Sequence, residues 1–281
     1  MRQHGKARAA AAVAVAAALA GFPSSVMASG FQLVEQNGSG LGNAYAGQAA
    51  GVEDASAIYF NPAALTRVRG KQFVAALNGI GLSTTFTDSG SSRPVLGRVT
   101  LPVPQGGSGG DAGAFKAVPN AYLSWQAASR LWFGLGVNVP FGLETKWDGD
   151  WVGRFHAIAS DVRTVNINPT VAFEVGDVLS LGVGANYQRL DAELSQAVAY
   201  GGISVGIASS VAGPVAGAIV LAQLGGPSGL ASEGVATIEG HDWAWGWNVG
   251  ATVKVGEPGR LAVAYRSRVS HELEGDATFS S

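Results

Sequence analysis

Thr164–Val175 reads TVNINPTVAFEV. One parity of this stretch is Val165, Ile167, Pro169, Val171, Phe173 and Val175. The other is Thr164, Asn166, Asn168, Thr170, Ala172 and Glu174. Successive side chains of a strand point to opposite faces, so this alternation describes a strand with one apolar and one polar face. It is also long enough to cross a bilayer as a tilted strand, which takes roughly 9–11 residues.

The pattern repeats outward from there. Leu179, Leu181, Val183, Ala185 and Tyr187 alternate with Ser180, Gly182, Gly184, Asn186 and Gln188. Trp243, Trp245, Trp247, Val249, Ala251, Val253 and Val255 alternate with Asp242, Ala244, Gly246, Asn248, Gly250, Thr252 and Lys254. Leu261, Val263 and Tyr265 alternate with Ala262, Ala264 and Arg266. A soluble sandwich alternates too. Here the polar parity is small or charged, as a wet interior requires, and aromatic residues gather toward strand ends, as in interfacial girdles. Only 14% of residues are charged and 41 of 281 are Gly, which favours a membrane barrel over a soluble domain. The fold class expected is all-β, an antiparallel transmembrane β-barrel.

Seven strands are expected, at about 71–80, 117–126, 131–141, 161–175, 179–195, 241–255 and 260–274. Tight turns join them at 127–130, 176–178 and 256–259. Long connections run over 81–116, 142–160 and 196–240. Short turns on one side and long loops on the other is the outer-membrane pattern, with the short side periplasmic. Residues 81–116, rich in Gly, Ser and Pro, read as an irregular, mobile loop. Residues 194–232 carry no charge, and Ile203, Ile207, Val211, Val215, Ile219 and Leu224 recur at roughly helical spacing. Gly-rich punctuation and Pro214 argue for short apolar helices within a loop, against the rival of one transmembrane helix. An exposed apolar patch of this kind marks a binding surface.

The chain opens with Arg2, Lys6 and Arg8, an apolar run over Ala9–Ala20, and Val26-Met27-Ala28. This reads as a secretory signal peptide, residues 1–28, cut after Ala28. Without it, 15 basic residues face 20 acidic ones, and no basic stripe suggests nucleic acid. There is no cysteine, so neither a disulfide framework nor thiolate chemistry is available. His156, His241 and His271 lack metal-ligand spacing. No catalytic constellation and no cofactor are implied. Gly30–Leu65, rich in Gly and Ala, fits neither helix nor strand periodicity.

That opening stretch resembles the FadL family of outer-membrane transporters for long-chain fatty acids and other hydrophobic compounds. Gly30-Phe31-Gln32-Leu33, Ser39 to Gly47 and Asn61-Pro62-Ala63 carry the likeness. So do Val139-Pro140-Phe141-Gly142-Leu143, Gly153-Arg154-Phe155-His156, Ser160-Asp161-Val162, Trp245-Gly246-Trp247-Asn248 and Tyr265-Arg266-Ser267. The resemblance implies an N-terminal plug, residues 29–69, inside a barrel that begins at residue 70 and runs to 281. Gly30, Phe31, Asn61, Pro62 and Ala63 would be plug motif residues, although Asn61-Pro62 alone also suits an ordinary turn. The family has about fourteen strands, so the seven read here imply an incomplete barrel half.

The resemblance further implies a bacterial outer-membrane protein, monomeric when intact, that meets a hydrophobic small molecule and membrane lipid. Ile203, Ile207, Val211, Val215 and Ile219 would form a first capture surface. Arg189 and Arg266 are candidate partners for a substrate carboxylate. Arg189 shares the apolar parity of Leu181 and Tyr187, so either a bulge turns it inward or it snorkels to the headgroups. Arg266 lies on the polar parity, where pairing with a lumenal acid is an equal alternative. Asn138 and Pro140 would mark a lateral exit, or Pro140 simply ends its strand. A passive porin for polar solutes and a structural or adhesion barrel are the alternatives.

The loop pattern sets the orientation. With cysteine introduced at Ser91, Ser209 or Asp177 of the full-length protein on intact cells, an impermeant thiol reagent is expected to label the first two and not the third. Labelling at Asp177 with silence at Ser209 refutes the orientation.

Overall fold

The computed structural model describes residues 31–51, 54–95, 99–102, 106–226, 232–256 and 259–280. The expected signal peptide and Gly30 lie outside the described residues. Residues 31–69 contain a 3-10 turn at Leu41–Asn43, two one-turn helices, α1 (Gln48–Gly51) and α2 (Ala57–Phe60), and a second 3-10 turn at Pro62–Arg67. Eleven strands follow: β1 (Lys71–Gly81), β2 (Ser92–Val95), β3 (Val99–Pro102), β4 (Phe115–Ala128), β5 (Leu131–Asn138), β6 (Gly142–Lys146), β7 (Ala159–Val175), β8 (Leu179–Ala199), β9 (Glu233–Lys254), β10 (Arg260–Arg266) and β11 (Glu274–Ser280). Between β8 and β9 stand α3 (Tyr200–Ala212) and α4 (Pro214–Gln223).

The main sheet is antiparallel throughout, in the order β1-β4-β5-β7-β8-β9-β10. β6 pairs with β7 in the lane of β5, and β11 pairs with β9 in the lane of β10. Seven lanes therefore match the seven strands read from alternation. Among the described residues, β1 and the β10–β11 lane form two unpaired edges.

The two faces are the reverse of a water-soluble sandwich. Asn120, Ser124, Asn138, Asn166, Asn168, Asn186 and Asn248 are buried, whereas Leu77, Leu123, Leu135, Phe173, Leu181, Val183 and Trp245 are exposed. Such an arrangement suits a lipid solvent outside and a polar interior. Outward apolar positions on β7 run from Val165 to Val175. Ten residue steps span about 33 Å along a strand, or about 25 Å of height at a tilt near 40°, the usual apolar band. At its upper end Tyr187 packs on Trp243 and Trp245, with ring centroids 4.5 Å apart in each case. The outward positions beyond are charged: Arg163, Asp191, Glu193, Glu239 and His241. At the lower end the Lys71 ammonium lies 5.7 Å from the Trp125 ring centroid, and Arg130 meets Asp177 between adjacent turns.

Four features differ from the expected segments. β8 and β9 pair without interruption from Leu179↔Val253 to Ala199↔Glu233, so the loop between them is confined to residues 200–232. Beyond the lipid band neither face must be apolar, and Gly234–Gly240 accordingly lacks clean alternation. The third strand is split into β5 and β6, and the seventh into β10 and β11, with 267–273 leaving the sheet. There His271 turns to Asp242, 3.0 Å away. Finally, 81–116 holds the β2–β3 hairpin. Asp111 anchors its far end, accepting from Ser83 Oγ and from the Thr84 and Gly113 N–H groups, which hold its carboxyl below the usual range. No helix among the described residues is long and apolar enough to cross a membrane, which removes the transmembrane-helix rival for 200–223.

Depth within the band sets the cost of a misplaced charge. In the full-length protein, Val171→Arg at mid-band is expected to lose about 2–4 kcal/mol of folding stability in lipid vesicles, and Val175→Arg at the rim about 0–1 kcal/mol. Equal losses in denaturant titrations would contradict the band.

Candidate functional site

The irregular N-terminal segment lies on the polar face of the sheet. Its backbone has carbonyls that no regular ladder satisfies, and inward side chains supply the donors. Asn78 and Asn120 Nδ2 donate to the Glu35 carbonyl at 2.6 and 3.1 Å. The Tyr122 hydroxyl donates to the Gln36 carbonyl at 3.0 Å. Farther along, Trp132 Nε1 donates to Val68 at 2.7 Å, and the Thr66 hydroxyl donates to Ser180 Oγ at 2.9 Å. Ile58, Leu65, Tyr122 and Trp132 make a small apolar core between segment and wall.

Asn61 organises the turn that follows α2. Its Oδ1 accepts from the Ala63 N–H at 3.0 Å, capping the turn, and its Nδ2 donates to the Ala49 carbonyl at 2.8 Å. Pro62 occupies the first position, where no N–H is needed. Beneath this turn the wall carries Gly182 and Gly250. A Cβ at Gly182 would enter the Pro62–Ala63 backbone, and one at Gly250 would enter the Asn61 side chain. Glycine is required there for close approach.

An amide network joins five lanes. Asn166 Nδ2 donates to Asn186 Oδ1 at 3.0 Å and to Asn138 Oδ1 at 3.3 Å. Asn168 and Asn186 Nδ2 both donate to Asn248 Oδ1, at 3.0 and 3.1 Å. Arg266 closes it, donating to Asn186 Oδ1 and to the Tyr59 carbonyl, with its guanidinium 4.5 Å from the Tyr59 ring centroid.

The wall is interrupted at Val139–Phe141. From Asn138↔Asn166 to Gly142↔Arg163 the third lane advances four residues while β7 advances three, a one-residue bulge. The segment takes up the freed groups. The Leu33 N–H donates to the Pro140 carbonyl at 3.0 Å, Gln36 Nε2 donates to that of Val139 at 3.0 Å, and the Gly142 N–H donates to that of Phe31 at 3.3 Å. Phe31 packs edge-on against Phe141 at 6.2 Å. On the other side, β4 pairs with β5 only from Ala121↔Val137 onward. A largely apolar cavity of about 330 Å³ occupies the gap, lined by Leu33, Ile80, Val118, Val139, Leu143 and Val162 among others.

The two candidate arginines are not brought together. Arg266 sits on the inner face among the asparagines. Arg189 lies where the β7–β8 and β8–β9 registers run without a shift, so it keeps the outward parity of Tyr187. It binds Asp191 through Nε and Nη2, at 2.9 and 2.7 Å, beside the Trp243 ring. Ile203, Ile207, Val211, Val215 and Ile219 are all exposed on α3 and α4, Val211 the most at 81%. Sequence reasoning missed Arg154. Its buried guanidinium makes a two-point pair with Glu233, at 2.8 and 3.0 Å, tying the β6–β7 loop to the base of the helical loop. A usable signal existed, since Glu233 is the first charge after the uncharged stretch 194–232.

Inverted faces, an apolar band and a segment packed on the polar side define an outer-membrane β-barrel protein. The chain matches the family model described as outer membrane protein transport protein (OMPP1/FadL/TodX) over residues 18–281, and it belongs to that family. It is 26% identical to a long-chain fatty acid transport protein of Salmonella typhi, over 94% of this chain and 56% of that one. It is 30% identical to outer membrane protein P1 of Haemophilus influenzae, over 86% of this chain and 54% of that one. A crystal structure of a Pseudomonas aeruginosa FadL homologue superposes with a TM-score of 0.72 at 23% identity, covering 89% of this chain and 55% of that one. The Pseudomonas putida toluene transporter TodX gives 0.51 at 17% identity, covering 83% and 56%. The chain thus spans about half the length of the curated relatives it matches.

The close approach at Gly182 is open to test. Gly182→Leu in the full-length protein is expected to weaken the docking of residues 57–66 by about 1–3 kcal/mol, read as roughly ten- to hundred-fold faster amide exchange there. Gly149→Ala, at a glycine with open space around it, is expected to change nothing. Unchanged exchange in the leucine variant would place the segment elsewhere.

Proposed function

We propose that the intact protein moves fatty acids or other hydrophobic compounds across the bacterial outer membrane and releases them sideways through its wall. The observation that carries this reading is the apolar cavity at the break between β5 and β6, beside the docked segment 31–36. Capture is assigned to α3 and α4, whose exposed Ile203, Ile207, Val211, Val215 and Ile219 offer an uncharged surface. Burying an alkyl chain gains about 0.8 kcal/mol per CH₂, so such a surface concentrates substrate without an anchoring charge. The segment containing Phe31, Asn61, Pro62 and Ala63 acts as the plug. Residues 31–36 hold the wall mainly through single hydrogen bonds, which permits local displacement there.

In this reading Arg266 is the lumenal cation that meets a substrate carboxylate once the Tyr59 carbonyl moves away. Arg189, outward and beside Trp243, serves the headgroup region. Asn138 and Pro140 shape the exit: Pro140 has no N–H to offer a neighbouring strand, and the segment, not β4, bonds its carbonyl. The protein works as a monomer in contact with outer-membrane lipid and without a cofactor.

Two variants of the full-length protein test the route in uptake assays on cells. Deleting residues 30–42 is expected to lower hydrophobic uptake while leakage of small polar solutes rises. Pro140→Val is expected to lower uptake without raising leakage. Parent-level uptake with unchanged leakage in both would overturn the plug and side-exit mechanism.

A further inference from the structure

One ion pair at the break in the wall has a geometry that an unbroken sheet forbids. Lys116 on β4 has the inward parity of Val118, Asn120 and Tyr122. Glu144 on β6 stands opposite Asp161 and so shares the outward parity of Asp161 and Arg163. Side chains on opposite faces of a continuous sheet do not meet. Yet Lys116 Nζ and Glu144 Oε2 are in direct contact. They meet because β4 above Ala121 has no ladder to the third lane, so the lysine side chain reaches through the gap.

The pair stands at the apolar cavity. That cavity is lined from both faces: Ile80, Val118 and Leu143 are inward, while Pro119 and Val165 are outward. It therefore runs through the plane of the wall, and both Lys116 and Glu144 are among its lining. Glu144 is only 24% exposed, against 54% for Lys116. Anything passing through the gap must part the two charges next to an apolar lining, and leaving the Glu144 carboxylate, whose Oε2 is buried, without its counter-charge is costly. A neutral hydrocarbon offers nothing in exchange. A carboxylate offers Lys116 an equivalent counter-charge, so one ion pair replaces another.

We infer that the Lys116–Glu144 pair latches the side passage, and that Lys116 is a specificity-determining residue favouring carboxylate-headed amphiphiles over neutral hydrocarbons. The inference rests on the side-exit reading above and names residues that neither the amide network nor the plug contacts use.

The test compares uptake of palmitate and of hexadecane by cells expressing the full-length protein, each variant first checked for heat-modifiable mobility. Lys116→Met is expected to lower palmitate uptake roughly tenfold, the equivalent of about 1.4 kcal/mol, without lowering hexadecane uptake. Lys116→Arg, which keeps the charge, is expected to retain palmitate uptake. Glu144→Gln is expected to raise hexadecane uptake several-fold and to leave palmitate uptake at or above the parent level. Should Lys116→Met not fold, Glu144→Gln decides alone, and unchanged hexadecane uptake overturns the latch. Equal changes for both compounds in Lys116→Met, or no change in either, also overturn it. A parent protein that takes up neither compound sinks the transport reading as well, whereas parent uptake with undiscriminating variants sinks only the latch.

Discussion

The inward amides hold this structure together. Asn138, Asn166, Asn168, Asn186 and Asn248 are buried, and each that is left without a partner costs about 1–3 kcal/mol. Lipid cannot satisfy them from outside. Each makes at least one hydrogen bond across strands, and Asn248 and Arg266 also reach the carbonyls of Ile58 and Tyr59, while Asn138 Nδ2, Asn166 Oδ1 and Asn168 Oδ1 keep no partner among the described residues. The N-terminal segment is therefore the polar counterpart of a hydrophobic core. It needs no amphipathic stripe, because its backbone is what the wall recognises. The same logic explains the glycines at 182 and 250, where the wall must lie flush against a backbone turn.

Much of this was legible in the sequence. Parity in Thr164–Val175 and its neighbours fixed which residues face lipid, because the solvent there is uniformly apolar and leaves a strict period of two. Pro214 marked the start of α4 for a similar local reason. What escaped depended on places where that solvent constraint lapses. Above the lipid, β8 and β9 continue for eight more paired residues of β9 without clean alternation. The split of the last lane is invisible in Ser267–Leu273, since leaving the sheet there depends on His271 reaching Asp242 across 29 positions.

The site was legible only in outline. Pro140 announced an irregularity in the third lane, but not that Leu33 and Gln36 would complete it. Parity alone put Arg266 on the polar face and Arg189 on the apolar one, leaving a bulge open as the way to turn Arg189 inward. The registers run through Arg189 without a bulge, though they say nothing of what either cation binds. Lys116 and Glu144 carried no signal at all, because their parities set them on opposite faces and only a hole in the sheet lets them touch. Residues that act at defects in a regular structure are those that rules of regularity hide.

The long β8–β9 ladder has a mechanical consequence. From the Tyr187–Trp245 row to the Ala199–Glu233 pair it adds twelve residue steps, about 40 Å of strand. An uncharged helical hairpin on a slack tether would dissolve into the nearest bilayer edge and be lost as bait. Carried at the tip of a stiff mast, in which β7 flanks β8 as far as Ser195 and β11 flanks β9 from His241 to Val235, and braced at its base by Arg154 against Glu233, the greasy surface is kept out of the membrane it resembles.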